Sequence, residues 1–207
     1  MTTSATAMPI EKRDIVEFAR TSTNDVVTAW FAASITVRVL TVGAVVAALS
    51  STASQVVPLG TGLTIALLVP AALVDVHRRC LPDAIVLLAL LTFAVTYATA
   101  LLDGTGARIT HLGLGATVLA GPVLTMHLVS PRSMGFGDVK TAGVLGMAIG
   151  ALAWGLAPWA LLTAAASTAV VGVIGRRSTV SFGPGLVAGA LSVVLASVVL
   201  GPDRIGL

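Results

Sequence analysis

The sequence is poor in charged residues, and this deficit narrows the class of protein. Of its 207 residues, 10% are charged and 56% are hydrophobic, and the mean hydropathy is +1.00. Soluble domains carry about 25% charged residues, because a water-exposed surface needs charge to stay dispersed. A chain this apolar cannot supply such a surface, so the composition favours a membrane protein.

Cysteine and aromatic residues are also scarce. Cys80 is the only cysteine, which excludes an internal disulfide and a structural zinc site built on cysteine pairs. Aromatic residues make up 4% of the chain, too few to predict a stacking surface for nucleic acid. We therefore interpret the formal net charge of +3 as lysine and arginine kept on the cytoplasmic side of a membrane, and expect no nucleic-acid partner.

Seven apolar segments follow a charged stretch at residues 1–25. Most of them approach the roughly 20 residues that a helix needs to cross the hydrocarbon layer. The pattern predicts an all-α, polytopic membrane bundle of about seven transmembrane helices over residues 26–207, preceded by a short cytoplasmic segment. The segments are 26–50, 59–75, 84–102, 111–130, 139–151, 154–175 and 185–201. Arg38 either snorkels from within the first segment or precedes the true span.

Basic residues recur in alternate gaps between these segments. Seven spans with a cytoplasmic N-terminus place every basic cluster on the cytoplasmic face. We therefore expect a multi-pass protein of the cell (plasma or inner) membrane, surrounded by membrane lipids. The clusters are Lys12, Arg13 and Arg20 before the first segment, Arg78 and Arg79 after the second, Arg132 and Lys140 after the fourth, and Arg176 and Arg177 after the sixth.

Two acidic residues lie at segment ends. Asp75 closes the second segment and Asp138 opens the fifth. Segments three and four form one excursion across the membrane and back, so both carboxyl groups return to the same face at similar depth. Two neighbouring carboxyls cannot easily both ionise, so one keeps a proton while the other draws a proton from water. The pair predicts hydrolysis of a peptide bond without a metal or another cofactor.

Residues near this pair have a functional and a structural interpretation. Gly135 and Gly137 allow backbone conformations closed to other residues and close approach of a substrate strand; alternatively, they form a plain turn with Asp138 as helix N-cap. Asp83 is a candidate third acid, but its position before an apolar run favours an N-cap. Lys140 either steers substrate and tunes Asp138 or anchors the cytoplasmic face.

A metal site is the remaining chemical alternative. His77 and His127 both fall near the predicted cytoplasmic face, and histidine with carboxylate suits zinc. The chain lacks an H-E-x-x-H motif, and neither histidine has a second one at helical spacing, so we expect no metal.

Three motifs resemble those of the type IV prepilin peptidases. Residues 135–140, with the sequence GFGDVK, resemble the family's G-x-G-D-V-K motif. Asp75, followed by a basic stretch and LPD at 81–83, resembles its first aspartate motif, and SFGP at 181–184 is similar to the F-G-P element before its last helix. The motifs occur in the family's order.

The resemblance implies an intramembrane aspartyl endopeptidase that removes short basic leaders from type IV prepilins or pseudopilins at the cytoplasmic face. Asp75 and Asp138 would be its catalytic residues. Its partners would be the substrate helix and proteins of pilus or secretion assembly. Larger members carry an N-terminal domain with paired cysteines that is linked to N-methylation. The single cysteine departs from that pattern, so the resemblance is to the short form without the methyltransferase domain.

Two other functions remain open on the sequence. The same carboxylates could relay ions in a transporter or proton pathway, although a transporter usually shows related halves and acids near the middle of the membrane. A non-catalytic subunit of a pilus or secretion assembly would tolerate loss of either aspartate.

Overall fold

The regular structure is entirely helical in the part of the chain that the computed structural model describes, residues 56–78, 83–104, 106–131, 134–174 and 181–200. This confirms the all-α prediction for these residues. They form six α-helices and one short 3-10 helix. The α-helices are α1 Val56–Arg78, α2 Asp83–Leu102, α3 Ile109–Val129, α4 Phe136–Ala153, α5 Ala157–Ile174 and α6 Gly183–Leu200, and the 3-10 helix Trp154–Leu156 joins α4 to α5.

Helices α1–α6 correspond to the second through seventh predicted segments. The first predicted segment, 26–50, and the predicted cytoplasmic segment, 1–25, lie outside the described residues, as does Arg38. The count of seven helices therefore stays a prediction. The uncertain boundary between the fifth and sixth segments falls at Ala153, whose extended backbone (φ −167°, ψ 124°) ends α4.

Three helical stretches in the described part are long and apolar enough to cross a membrane: Asp83–Leu102, Ile109–Val129 and Phe136–Ile174. The third contains α4, the 3-10 helix and α5. Helices α1 and α6 contain shorter apolar stretches. Large apolar side chains lie exposed on α2, α3 and α5, for example Leu91, Leu128 and Trp159. Exposed apolar faces on helices of this length are the pattern of a membrane protein.

Consecutive helices pack in pairs, and α4 lies at the centre. The pairs are α1 with α2, α3 with α4, and α5 with α6. Helix α1 also packs against α4 and α6, and α4 contacts each of the other five described α-helices. Most residues of α4 are buried, including Leu145, Ala148 and Ile149. Helix α4 is therefore the central element of the described bundle.

Glycine residues bring the backbones of α3 and α4 into direct contact. A Cβ atom added to Gly146 would lie 2.6 Å from the carbonyl oxygen of Gly115, and one added to Gly115 would lie 2.8 Å from Cα of Gly150. Lipid tails are as apolar as the helices, so close packing of small residues provides much of the attraction between helices. A Cβ on Gly113 or Gly121, also on α3, would meet no atom of the described residues within 4 Å.

A hydrogen bond joins α1 to α4 in the core. Thr61 Oγ1 donates to the carbonyl oxygen of Ala148 at 2.8 Å, and Thr61 is fully buried. Hydrogen bonds between helices stabilise membrane bundles by about 0.6–2 kcal/mol each. This bond sets the depth of α1 relative to α4.

Gly146→Ala is expected to destabilise the bundle by about 2 kcal/mol, because the new methyl group overlaps backbone atoms of α3 and forces the helices apart. Gly143→Ala is the matched control on the same helix, since a Cβ there meets no atom of the described residues within 4 Å. Denaturant unfolding in detergent micelles measures both variants. Equal stability of the two variants would contradict the backbone contact.

Candidate active site

Two acidic side chains are buried at one end of the bundle. Asp75 lies in the last turn of α1 with 6% of its surface exposed, and Asp138 lies in the first turn of α4 with 8% exposed. The two carboxyl groups are close enough to interact electrostatically. Carboxyl groups are seldom this buried unless they have a partner, and such pairs are frequent at functional sites.

The path of the chain explains why Asp75 and Asp138 lie at the same end of the bundle. Helix α1 ends where α4 begins, and α2 and α3 lie between them in sequence. Because α1 packs directly on α4, the end of one helix lies beside the start of the other. Helices α2 and α3, which lie between the two acids in the chain, are each long and apolar enough to cross a membrane.

The segment before α6 adds a third polar side chain. Ser181 Oγ donates a hydrogen bond to Oδ2 of Asp75. Residues 181–184 form the SFGP element, but the sequence did not predict Ser181 as a site residue. The feature of the sequence that could have indicated Ser181 was its position directly before the F-G-P residues, two residues before α6 begins at Gly183.

The surroundings of the two carboxyl groups differ. Asp138 Oδ1 is buried and has no hydrogen-bond partner among the described residues, and the same is true of Thr141 Oγ1 one turn further along α4. A buried polar atom without a partner costs about 1–3 kcal/mol. Such atoms are rare in folded proteins and often belong to binding or catalytic sites.

The glycines before Asp138 behave differently from the prediction. Gly135 is the N-cap of α4, with an extended backbone at φ −71° and ψ 147°, and Gly137 lies inside the helix. Among the described residues, Gly104 is the glycine with a positive φ. Gly135 and Gly137 therefore have backbone conformations that any residue can adopt, and the prediction of a conformation reserved for glycine is wrong for both. Among the described residues, a Cβ on Gly135 would have the nitrogen of Gly137 as its one neighbour within 4 Å, at 3.9 Å.

Asp138 is not the N-cap of α4. It is the third residue of the helix, and its backbone N–H donates to the carbonyl oxygen of Gly135 at 3.1 Å. The N-cap alternative is therefore wrong. A carboxylate in the first turn is nevertheless stabilised by the positive end of the helix dipole.

Asp83 and Lys140 form an ion pair beside the site. Lys140 Nζ lies 2.9 Å from Asp83 Oδ1, and the two side chains are 40% and 62% exposed. Lys140 also lies over the ring of Phe136, 5.4 Å from its centroid. Asp83 is the first residue of α2, so the predicted N-cap is displaced by one position. The pair links the start of α2 to the first turns of α4.

His127 has structural partners. Its Nδ1 lies 2.8 Å from the carbonyl oxygen of Met134, and its ring packs against Phe136 with centroids 5.5 Å apart. The side chain of His77 lies outside the described part. Within the described residues, no group of three or more histidine, cysteine, aspartate or glutamate side chains is placed to hold a metal ion.

The match to known families falls on this region. The model of the type IV leader peptidase family matches residues 62–175, more than half of the chain. The matched residues include Asp75 and Asp138 and end before Ser181. No curated protein and no solved structure matches the chain.

The Asp83–Lys140 pair is expected to contribute less than about 1 kcal/mol to stability, because both side chains are substantially exposed. Asp83→Asn and Lys140→Gln should each lower the free energy of unfolding by a small and similar amount. The double variant should cost no more than either single variant, which a double-mutant cycle in detergent measures. Additive losses would show that the two side chains act independently.

Proposed function

The chain belongs to the type IV leader peptidase family, and on this premise we propose that it is an intramembrane aspartic endopeptidase. Its substrates are type IV prepilins or pseudopilins, from which it removes the leader peptide at the cytoplasmic membrane face. The observation that carries the proposal is the buried pair Asp75 and Asp138, contributed by two helices inside the family match and close enough to interact.

The pair supports acid–base hydrolysis. One carboxylate takes a proton from a water molecule, and the water oxygen bonds to the carbonyl carbon of the scissile peptide. The other carboxyl group donates its proton to the carbonyl oxygen. The C–N bond then breaks, and a proton passes to the leaving amine. Protonation belongs to the pair, because removing a proton from one carboxyl changes the affinity of the other for its proton.

The position of the pair suits a substrate whose cleavage site adjoins an apolar helix. Asp75 and Asp138 lie at helix ends, beyond the apolar part of α1 and at the first turn of α4. Few atoms of the described residues lie near the Cβ position of Gly135, which would let an extended peptide segment approach there. The substrate's own helix would remain in lipid against the apolar outer surface.

The cytoplasmic location of the site rests on the distribution of basic residues. The positive-inside rule predicts that the N-terminus, the C-terminal end of α1 and the N-terminal end of α4 lie on the cytoplasmic side of the plasma or inner membrane. Basic leaders of nascent pilin precursors are on that same side before export. Pilus or secretion assembly proteins would then receive the processed product.

Asp75→Asn and Asp138→Asn are each expected to reduce leader cleavage by about 100-fold or more, because Asn keeps the shape of Asp but can neither take up nor release the proton. Asp103→Asn is the control, since Asp103 is an exposed residue beyond the end of α2 and should leave cleavage unchanged. Purified variants and candidate prepilins are mixed, and mass spectrometry reads the new N-terminus.

Two outcomes would contradict the proposal in different ways. Cleavage that persists in both Asn variants would remove the carboxyl pair from the mechanism. A wild-type protein that cleaves none of the precursors but conducts protons in vesicles, with loss in the same variants, would identify a proton pathway instead.

Chelation is expected to leave the cleavage rate unchanged, because the proposed proton transfers need no Lewis acid. EDTA-treated and untreated enzyme are compared with the same prepilin. Activity that disappears with EDTA and returns with Zn²⁺ would replace the carboxyl pair by a metal-activated water.

A further inference from the structure

Ser181 is the described side chain that donates a hydrogen bond to the candidate carboxyl pair. Its Oγ donates to Oδ2 of Asp75, a contact between residues 106 positions apart in sequence. Ser181 lies outside residues 62–175, so the family match does not include it. The contact joins the segment before α6 to the last turn of α1.

Packing on the C-terminal side of Ser181 holds its backbone in place. The neighbouring Phe182 packs against the main hydrophobic core, and its carbonyl oxygen accepts the backbone N–H of Leu186 at 3.0 Å. A Cβ on Gly185 would lie 2.9 Å from the carbonyl oxygen of Ala164 on α5, so α6 begins in close contact with α5. The hydroxyl group of Ser181 is therefore presented from a well-supported backbone.

The contact has two chemical consequences for Asp75. The last side-chain torsion of aspartate is broad, so an unbound carboxyl group samples many orientations; a hydrogen bond on Oδ2 restricts it. An O–H donor also stabilises the charged form of a carboxylate. Asp138 Oδ1 has no donor among the described residues, and the Asp138 carboxyl group has a backbone hydrogen bond from Gly135. The two carboxyl groups therefore differ in their donors, a side-chain hydroxyl group on Asp75 and a backbone N–H on Asp138.

We propose that Ser181 is a positioning residue for the carboxyl pair, holding Oδ2 of Asp75 so that Oδ1 takes the proton from the attacking water. The inference rests on the proposed peptidase function. It assigns Asp75 as the base and Asp138 as the acid. It also makes the segment before α6 a third component of a site otherwise contributed by α1 and α4.

The test compares kcat and KM of the full-length wild-type protein with those of Ser181→Ala, Ser181→Thr and Ser181→Val, using one cleavable prepilin. Ser181→Ala should lower kcat about tenfold or more with little change in KM, because the lost hydrogen bond acts on the reacting group and not on substrate binding. Ser181→Thr keeps the O–H and should restore most of kcat. Ser181→Val has the shape of Thr without the donor and should resemble Ser181→Ala.

Ser192→Ala is the matched control on α6. Ser192 donates to the carbonyl oxygen of Gly189 and contacts Thr163, away from Asp75, so its loss should leave kcat unchanged. Unfolding midpoints of all variants are measured in the same detergent. If Ser181→Ala does not fold, the comparison of Thr with Val still isolates the hydroxyl group.

The outcomes separate this inference from the proposed function. Wild-type kcat in Ser181→Ala, or equal kcat in the Thr and Val variants, would overturn the role of Ser181 while leaving the peptidase assignment in place. Cleavage that survives Asp75→Asn would overturn both. A kcat restored by Thr alone, with unchanged KM and unchanged unfolding midpoints, would support positioning.

Discussion

The burial of two carboxyl groups in an apolar bundle is the constraint on which the rest of the site depends. An ionised carboxylate removed from water is stable only if nearby dipoles or hydrogen-bond donors replace its hydration. Asp138 has the positive end of α4, and Asp75 has the hydroxyl group of Ser181. These partners come from different elements, so α1, α4 and the segment before α6 must meet at one end of the bundle.

Contacts distant from the carboxyl groups fix that meeting. In lipid, helices gain little by burying apolar surface against one another, so close backbone packing and hydrogen bonds between helices decide their positions. Gly115 and Gly146 bring α3 onto α4, and Thr61 bonds α1 to α4 through the carbonyl of Ala148. Proton transfer requires atoms placed to within a fraction of an ångström. Here Gly115, Gly146 and Thr61, which take no part in the proposed proton transfer, help to fix those positions.

Hydropathy predicted the course of the described helices because each apolar run ends at charges, glycine or proline, which are local signals. It also predicted that Asp75 and Asp138 share one end, since an even number of crossings lies between them. It could not predict the hydrogen bond from Ser181 to Asp75 or the ion pair from Lys140 to Asp83. Those contacts depend on how helices rotate about their axes, and hydropathy along such uniformly apolar helices leaves rotation undetermined. The extended backbone of Gly135 was missed because glycine marks a turn without specifying its dihedral angles.

Of two identical carboxyl groups, one can act as the acid and the other as the base only if their surroundings differ. In a symmetric pair the shared proton would favour neither position, and each catalytic cycle would begin from a mixture of two arrangements. The carboxyl group of Asp75 has a side-chain hydroxyl donor, whereas that of Asp138 has a backbone donor at Gly135 and an Oδ1 atom without a partner among the described residues. This difference removes that symmetry. The residue responsible lies beyond the family match. In the proposed mechanism the two aspartates supply the acid and the base, and the hydroxyl group of Ser181 decides which of them acts as the base.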